Sequence, residues 1–132
     1  MNFYTYSIRT QAEEFRNITP QVREAVTKSG VKEGICVIFC PHTTAGITIN
    51  ENADPDVQHD LALGLAHAYP ELPGFQHFEG NSTAHLKSTT AGASMTVIVH
   101  DGHLVLGRWQ HVYFCEFDGP RARTFYVKVL EG

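Results

Sequence analysis

The chain has 132 residues, of which 42% are hydrophobic and 18% charged, with a formal net charge of -4. That length suits one domain spanning residues 1–132, large enough to bury a core without help from a disulfide or a structural metal. The composition excludes a disordered chain, and the mild acidity excludes a general nucleic-acid surface while leaving room for one local phosphate site.

In chain order, NFYTYSIRT alternates apolar and polar residues, the period-two pattern of a strand with one buried face, and a second short strand follows through Phe15. TPQVREAVTKSG predicts a helix with Thr19 as N-cap, Pro20 at its first position and Gly30 as its stop. GICVIFC is a continuous apolar run rich in β-branched residues and predicts a buried strand, interrupted at Pro41. TTAGITIN resumes strand character with a bend at Gly46. DPDVQHDLALGLAHAYP then carries a helix start, with Asp54 as cap, Pro55 in the first turn, and Val57, Leu61, Leu65 and Ala68 as an apolar stripe.

Residues 70–83 form the one long breaker-rich loop, and such loops inside compact domains tend to carry function. A short helix is expected from about Ala84 to Ala91, ending at Gly92. The remainder reads as strands: SMTVIVH, a turn at Asp101-Gly102, HLVLG, RWQHVYFCEF, a turn at DGP, and RTFYVKVL. The sum is an α+β fold with an antiparallel meander at the carboxyl end. Such a meander leaves edges and a sheet face to cover, and eight Phe with five Tyr make subunit packing a reasonable cover.

Cys36, Cys40 and Cys115 are an odd set inside apolar runs without zinc-ribbon spacing, and are expected as buried thiols. The opening MNFYTYSIRTQAEEF lacks a basic stretch followed by an apolar one, and no segment reaches the roughly 20 apolar residues that span a bilayer. A soluble cytoplasmic protein without a membrane partner is the expectation.

The chemistry concentrates in HTTAGITINENADPDVQHD, positions 42–60. His42 follows a buried strand and a proline, where a side chain can enter a cleft; a hydrogen-bonded structural histidine is the alternative. With His59 and His85 it forms a trio beside other reactive groups, although no two fit a short zinc signature. Three imidazoles plus water is the open coordination of a catalytic zinc, and such ligands need convergence in space, not in sequence. Asp60 can orient the neighbouring imidazole, Glu51 is the candidate for acid/base work or ligation, and Asn50 offers a neutral amide.

GNSTAHLKSTTAG places Gly80, Asn81, Ser82 and Thr83 before a helix whose free amides favour an anion, with Lys87 adding positive charge; an ordinary capped helix with an exposed lysine explains the same residues. Arg121 and Arg123 can neutralise a phosphate or solvate an edge strand, the latter being the reading in isolation. Trp109, next to Gly107, is expected to pack over a glycine surface. Gln110 and Glu116 share a strand face that either meets solvent or lines a pocket.

HTTAGITINENADPDVQHDL, GNSTAHLKSTTAG and SMTVIVHDGHLVLGRWQHVYFCEFDGPRAR together resemble the signature blocks of the YjbQ-like proteins, the secondary thiamine-phosphate synthase family. The resemblance covers nearly the whole chain and is weakest over residues 1–33. It implies an α+β fold with sheets packed like a β-sandwich, a homotrimer, and a divalent metal, zinc, in a cleft built from the histidine blocks. The pattern matches at His42, Thr43, Thr44, Asn50, Glu51, Asp54, Pro55, His59, Asp60, Gly80, His85, Lys87, Gly107, Trp109, Gln110 and Glu116. Arg108 and Thr83 depart from it, where Thr and Asp are usual.

The implied activity joins hydroxymethylpyrimidine diphosphate to a thiazole phosphate with release of pyrophosphate. Cation and positive side chains would stabilise the leaving group, Lys87 with Arg121 or Arg123 filling the second need. The competing expectation is a non-catalytic trimeric module that holds a metal or metabolite.

Overall fold

The computed structural model describes all 132 residues, Met1–Gly132. Eight strands and three helices follow one another as β1 (Phe3–Arg9), β2 (Glu14–Asn17), α1 (Thr19–Ser29), β3 (Glu33–Phe39), β4 (Ala45–Glu51), α2 (Pro55–Ala68), α3 (Ser82–Ala91), β5 (Ser94–His100), β6 (His103–Leu104), β7 (Gln110–Glu116) and β8 (Ala122–Glu131). A five-stranded sheet runs β1-β8-β3-β5-β6 and a three-stranded sheet β2-β7-β4. Every pairing is antiparallel.

The two sheets face each other like the halves of a sandwich. Alternation sends Cys36, Ile38, Val97, Val99, Phe125, Val127 and Val129 of the larger sheet inward against Ala45, Ile47, Val112 and Phe114 of the smaller one. Helix α1 closes this core with Val22, Ala25 and Val26. The opposite face of the smaller sheet presents Tyr113, Cys115 and Phe117, which meet Ala84 of α3 and Leu65 of α2. Strand β7 is therefore buried on both faces, which is why its run YFCE reads as almost continuously apolar.

The expected carboxyl-terminal meander is replaced by an exchange between sheets. Only β5 and β6 form a hairpin, through Asp101 and Gly102, both at positive φ as a tight hairpin turn demands. Strand β7 then enters the smaller sheet, and β8 returns to the larger one between β1 and β3. Since β8 is internal, Arg123 does not solvate an edge: it is buried, as is Glu116.

Thr19 is likewise not the helix cap. Its hydroxyl is buried and accepts the Val112 N–H at 2.8 Å, while the Asn17 side chain accepts the Thr19 N–H at 3.0 Å. At α2 the expected cap is present, Asp54 accepting from the Asp56 N–H at 2.9 Å. Gly46 is required by close approach: a Cβ there would lie 2.6 Å from the Gly92 carbonyl at the end of α3. All three cysteines are free and buried, and burial pushes the Cys36 and Cys115 thiols up to about 12.

One polar cluster ties the sheets at the corner where β7 crosses to β8. The Glu116 carboxylate, fully buried, accepts from Arg123 Nε at 2.7 Å, Thr10 Oγ1 at 2.6 Å and the Asp118 N–H at 2.9 Å. Arg123 Nη2 reaches Glu116 as well and donates to Thr44 Oγ1 at 2.9 Å. Burial alone would raise the Glu116 pKa, but the hydrogen bonds and charge of Arg123, with those from Thr10 and Asp118, outweigh it and hold the group below its ordinary value.

Because the folded pKa is depressed, this contribution is complete above the unfolded carboxyl pKa and disappears as pH falls through the folded one. Glu116→Gln should therefore cost about 3–5 kcal/mol in denaturant unfolding at pH 7, the magnitude for breaking a buried pair. The gap from the native chain should narrow in acid. Pairing Glu116→Leu with Arg123→Met should recover most of the loss; additive losses in the double variant would refute the coupling.

Candidate functional site

A cleft of about 360 Å³ opens above this corner, and none of its eleven lining residues is hydrophobic. Three segments build it. Pro41, His42, Thr43 and Thr44 come from the β3–β4 connection; His77, Glu79, Asn81 and His85 from the long loop and the start of α3; Asp118, Arg121 and Arg123 from the β7–β8 crossover.

Pro41 supplies no N–H, and the pairing of β3 with β8 stops at Phe39 and Tyr126. The Thr124 amide and carbonyl beyond that point meet His42 instead. Its Nε2 lies 3.0 Å from the Thr124 N and 3.1 Å from the Thr124 O. Accepting from the amide leaves a proton on Nδ1, which then donates toward the cleft; donating to the carbonyl leaves Nδ1 as a lone pair able to take a cation. Burial, followed by the charge of Arg123, lowers the His42 pKa and favours the neutral ring.

The guanidinium groups give the cleft its anion chemistry. Arg123 uses Nε and Nη2 on Glu116 and Thr44, leaving Nη1 without a protein partner. Arg121, half-exposed, donates from Nε to the Asp118 carbonyl at 2.7 Å and from Nη2 to the Asp118 carboxylate at 3.0 Å. The same carboxylate accepts from Asn81 Nδ2 at 2.8 Å. Asn81 Oδ1 is buried and has no partner, a polar atom waiting for a donor. The His77 and His85 rings meet edge to face at 5.2 Å along another wall.

Of the histidine trio, His42 and His85 share this cleft. His59 does not line it: it stands exposed on α2, its Nδ1 3.0 Å from the carboxylate of Asp60, itself exposed. No group of three His, Cys, Asp or Glu in the chain is close enough to hold a metal ion.

The other candidates separate. Arg121 and Arg123 line the cleft, whereas Asn50 points to a different cavity beneath α2. Lys87 is not exposed but buried, its Nζ 3.4 Å from both carboxylate oxygens of Glu13. Glu51 sits partly buried before α2, its backbone carbonyl accepting from Gln58 and Tyr113. Gln110 folds onto its own turn, accepting the Gly107 N–H at 2.7 Å. Trp109 does not pack over glycine; it is exposed beneath the Arg108 guanidinium, 4.6 Å from the ring.

His77, Glu79, Thr44 and Asp118 line the cleft without having been expected there for catalysis or ligation. The long loop was the signal for His77 and Glu79. Thr44 is a position of the family pattern, while Asp118 has no signal beyond adjacency to the turn.

Comparison with known proteins agrees with the fold. The profile of the UPF0047 protein YjbQ-like family matches residues 4–132. A UPF0047 protein of Methanocaldococcus jannaschii is 54% identical over 128 residues, 96% of this chain and 93% of that one. The Bacillus subtilis UPF0047 protein YugU is 52% identical over 122 residues, 92% of each. Among solved structures, an uncharacterised YjbQ/UPF0047 family protein from Clostridium acetobutylicum superposes with a TM-score of 0.94 at 50% identity, covering 96% of this chain and 99% of that one. A hypothetical protein from Aeropyrum pernix K1 gives 0.93 at 31% identity over the full length of both. With its blocks, its two-sheet fold and nearly its whole length matched, the chain belongs to the YjbQ-like UPF0047 family.

Proposed function

We propose that the chain is an enzyme acting on small phosphorylated substrates at the polar cleft, and that its reaction joins hydroxymethylpyrimidine diphosphate to thiazole phosphate. The observation that carries this reading is a cleft without a hydrophobic lining residue, backed by a buried arginine with one nitrogen free. In the reaction a ring nitrogen forms a bond to the methylene carbon as the carbon–oxygen bond to diphosphate breaks. The electron pair departs on pyrophosphate, whose charge Arg121 and Arg123 stabilise. His42 in its Nδ1–H form adds a neutral donor to the same oxygens.

The reading includes a divalent metal, zinc, and a homotrimer. Zinc would add Lewis acidity at the leaving group. One chain supplies His42 and His85 at the cleft but no three-ligand shell. The expected trio therefore does not fit within a single chain, and His59 belongs to a shell only if a neighbouring protomer delivers it.

The trimer is supported by the outer face of the larger sheet. Phe3, Ile35, Phe39, Ile98 and Leu130 are each more than a third exposed there, and the registers set Leu130, Ile35 and Ile98 in one row across β8, β3 and β5. A contiguous apolar face of that kind marks an association surface. Free buried thiols suit a reducing cytoplasm.

A second reading, a non-catalytic metabolite-binding trimer, is favoured by one observation: Glu51, Asp60, Lys87 and Gln110 all lie outside the cleft wall. Turnover separates the two, since pyrophosphate release from the paired substrates is required by the first and absent in the second.

Three measurements follow. Pyrophosphate should bind by calorimetry, and Arg121→Ala should weaken it about tenfold, the scale of one charge-assisted hydrogen bond; equal affinity in the variant would place the anion elsewhere. Purified protein should hold divalent metal that is lost in His42→Ala and in His59→Ala, and mixing the two variants should restore part of it if the site is shared. A protein without zinc affinity ends the metal reading while leaving the phosphate reading standing. Ile98→Asp should reduce the scattering mass from three chains to one, and an unchanged mass would remove this face from the interface.

A further inference from the structure

Helix α2 is held at its ends and stands off in its middle. At its start Gln58 Nε2 donates to the Glu51 carbonyl at 2.6 Å and to the Tyr113 hydroxyl at 2.9 Å. Just past its end the Tyr69 hydroxyl accepts from Thr90 at 2.6 Å. Between these anchors no side chain of α2 is fully buried, although Leu61 and Leu65 point toward the outer face of the smaller sheet. The space left there measures about 310 Å³ and is lined by ten residues, seven of them hydrophobic. None carries a charge.

Its chemistry differs from that of the polar cleft, with which it shares no residue. Phe15 and Phe117, edge to face at 6.2 Å, make an aromatic wall. On β4, across β7 in the same sheet, Asn50 has its Oδ1 engaged by the Glu51 N–H at 2.7 Å, which leaves the Nδ2 donor unused. A mostly apolar, half-open space of this size with a few polar groups, Thr48, Asn50 and Thr90, on its wall is the description of a small-molecule pocket. Water gains little from such walls, and apolar cavities of smaller volume already take up aromatic rings.

We propose that this pocket beneath α2 is a second binding site, for an uncharged, flat heteroaromatic molecule whose ring nitrogen or carbonyl accepts a hydrogen bond from Asn50. The rings lie against Phe15 and Phe117 with Leu61 and Leu65 as lid. A charged molecule is excluded because no lining group compensates its desolvation. The site stands independently of the activity proposed for the cleft.

Quinoline tests the assignment, with naphthalene as the matched ring system that lacks the acceptor. Ligand-observed NMR on the full chain should show quinoline binding and thermal unfolding should shift upward with its concentration. Leu65→Trp, which fills the pocket from the lid, should weaken quinoline at least tenfold while pyrophosphate binding stays as in the native chain. Asn50→Leu should lower quinoline about threefold to tenfold, to the level of naphthalene, the scale of one neutral hydrogen bond. No quinoline binding by the native chain, or binding unaltered by Leu65→Trp, overturns the site. Naphthalene binding as tightly as quinoline overturns the role given to Asn50.

Discussion

The cleft depends on one buried ion pair, Glu116 with Arg123. No backbone ladder joins the two sheets, so their relative placement rests on side-chain packing and on the corner where Glu116 meets Arg123, Thr10 and Thr44. A pair of packed apolar residues would hold that corner about as firmly, because the desolvation of two ions consumes most of their mutual attraction. What an apolar pair would lack is a guanidinium fixed at the floor of an open cleft. The carboxylate underneath keeps that charge buried without leaving it unpaired, and keeps one of its nitrogens directed away from itself.

The same corner sets the register of the cleft's walls. Thr10 accepts the Arg121 N–H and donates to Glu116, so the chain leaving β1 is bound to the chain entering β8. Thr44 ties the start of β4 to Arg123, and the Ser88 hydroxyl donates to the Ala45 carbonyl at 2.7 Å, seating α3 against β4. His42, Asp118 and His85 thus belong to three separate chain segments held by one hydrogen-bonded knot. A glycine at position 46 is what lets α3 approach closely enough to take part.

The legible parts of the sequence were those governed by local periodicity. Strands with alternating faces, the Asp54 cap, the Gly30 stop and the Asp101-Gly102 hairpin all declare themselves within a few residues. Strand partners do not, because a period of two names the buried face and is silent about which neighbour lies alongside. That is why the pattern predicts a hairpin of β7 and β8, which belong to different sheets. A usable signal was present even so: Arg123 shares parity with Phe125, Val127 and Val129, and Glu116 with Val112 and Phe114, which places both charges on core-facing positions. For His59 no such signal exists. Its place on the first turns of α2 followed from Asp54 and Pro55, but the side of the molecule on which α2 lies is a tertiary fact.

Burial shows which face of the chain is left uncovered. Of 132 residues 28 are buried; α1 closes the core between the sheets, and α2 and α3 lie against the outer face of the smaller one, so no helix is left to cover the outer face of the larger sheet. Phe3 and Tyr126 stack there at 5.2 Å with nothing above them. A lone chain keeps that apolar area in water at a cost proportional to its extent, roughly 25 cal/mol for each Å². The sheet that carries this face also carries, at the ends of β3 and β8, the backbone that holds His42. Any flattening or twisting of the sheet would therefore move the imidazole with it.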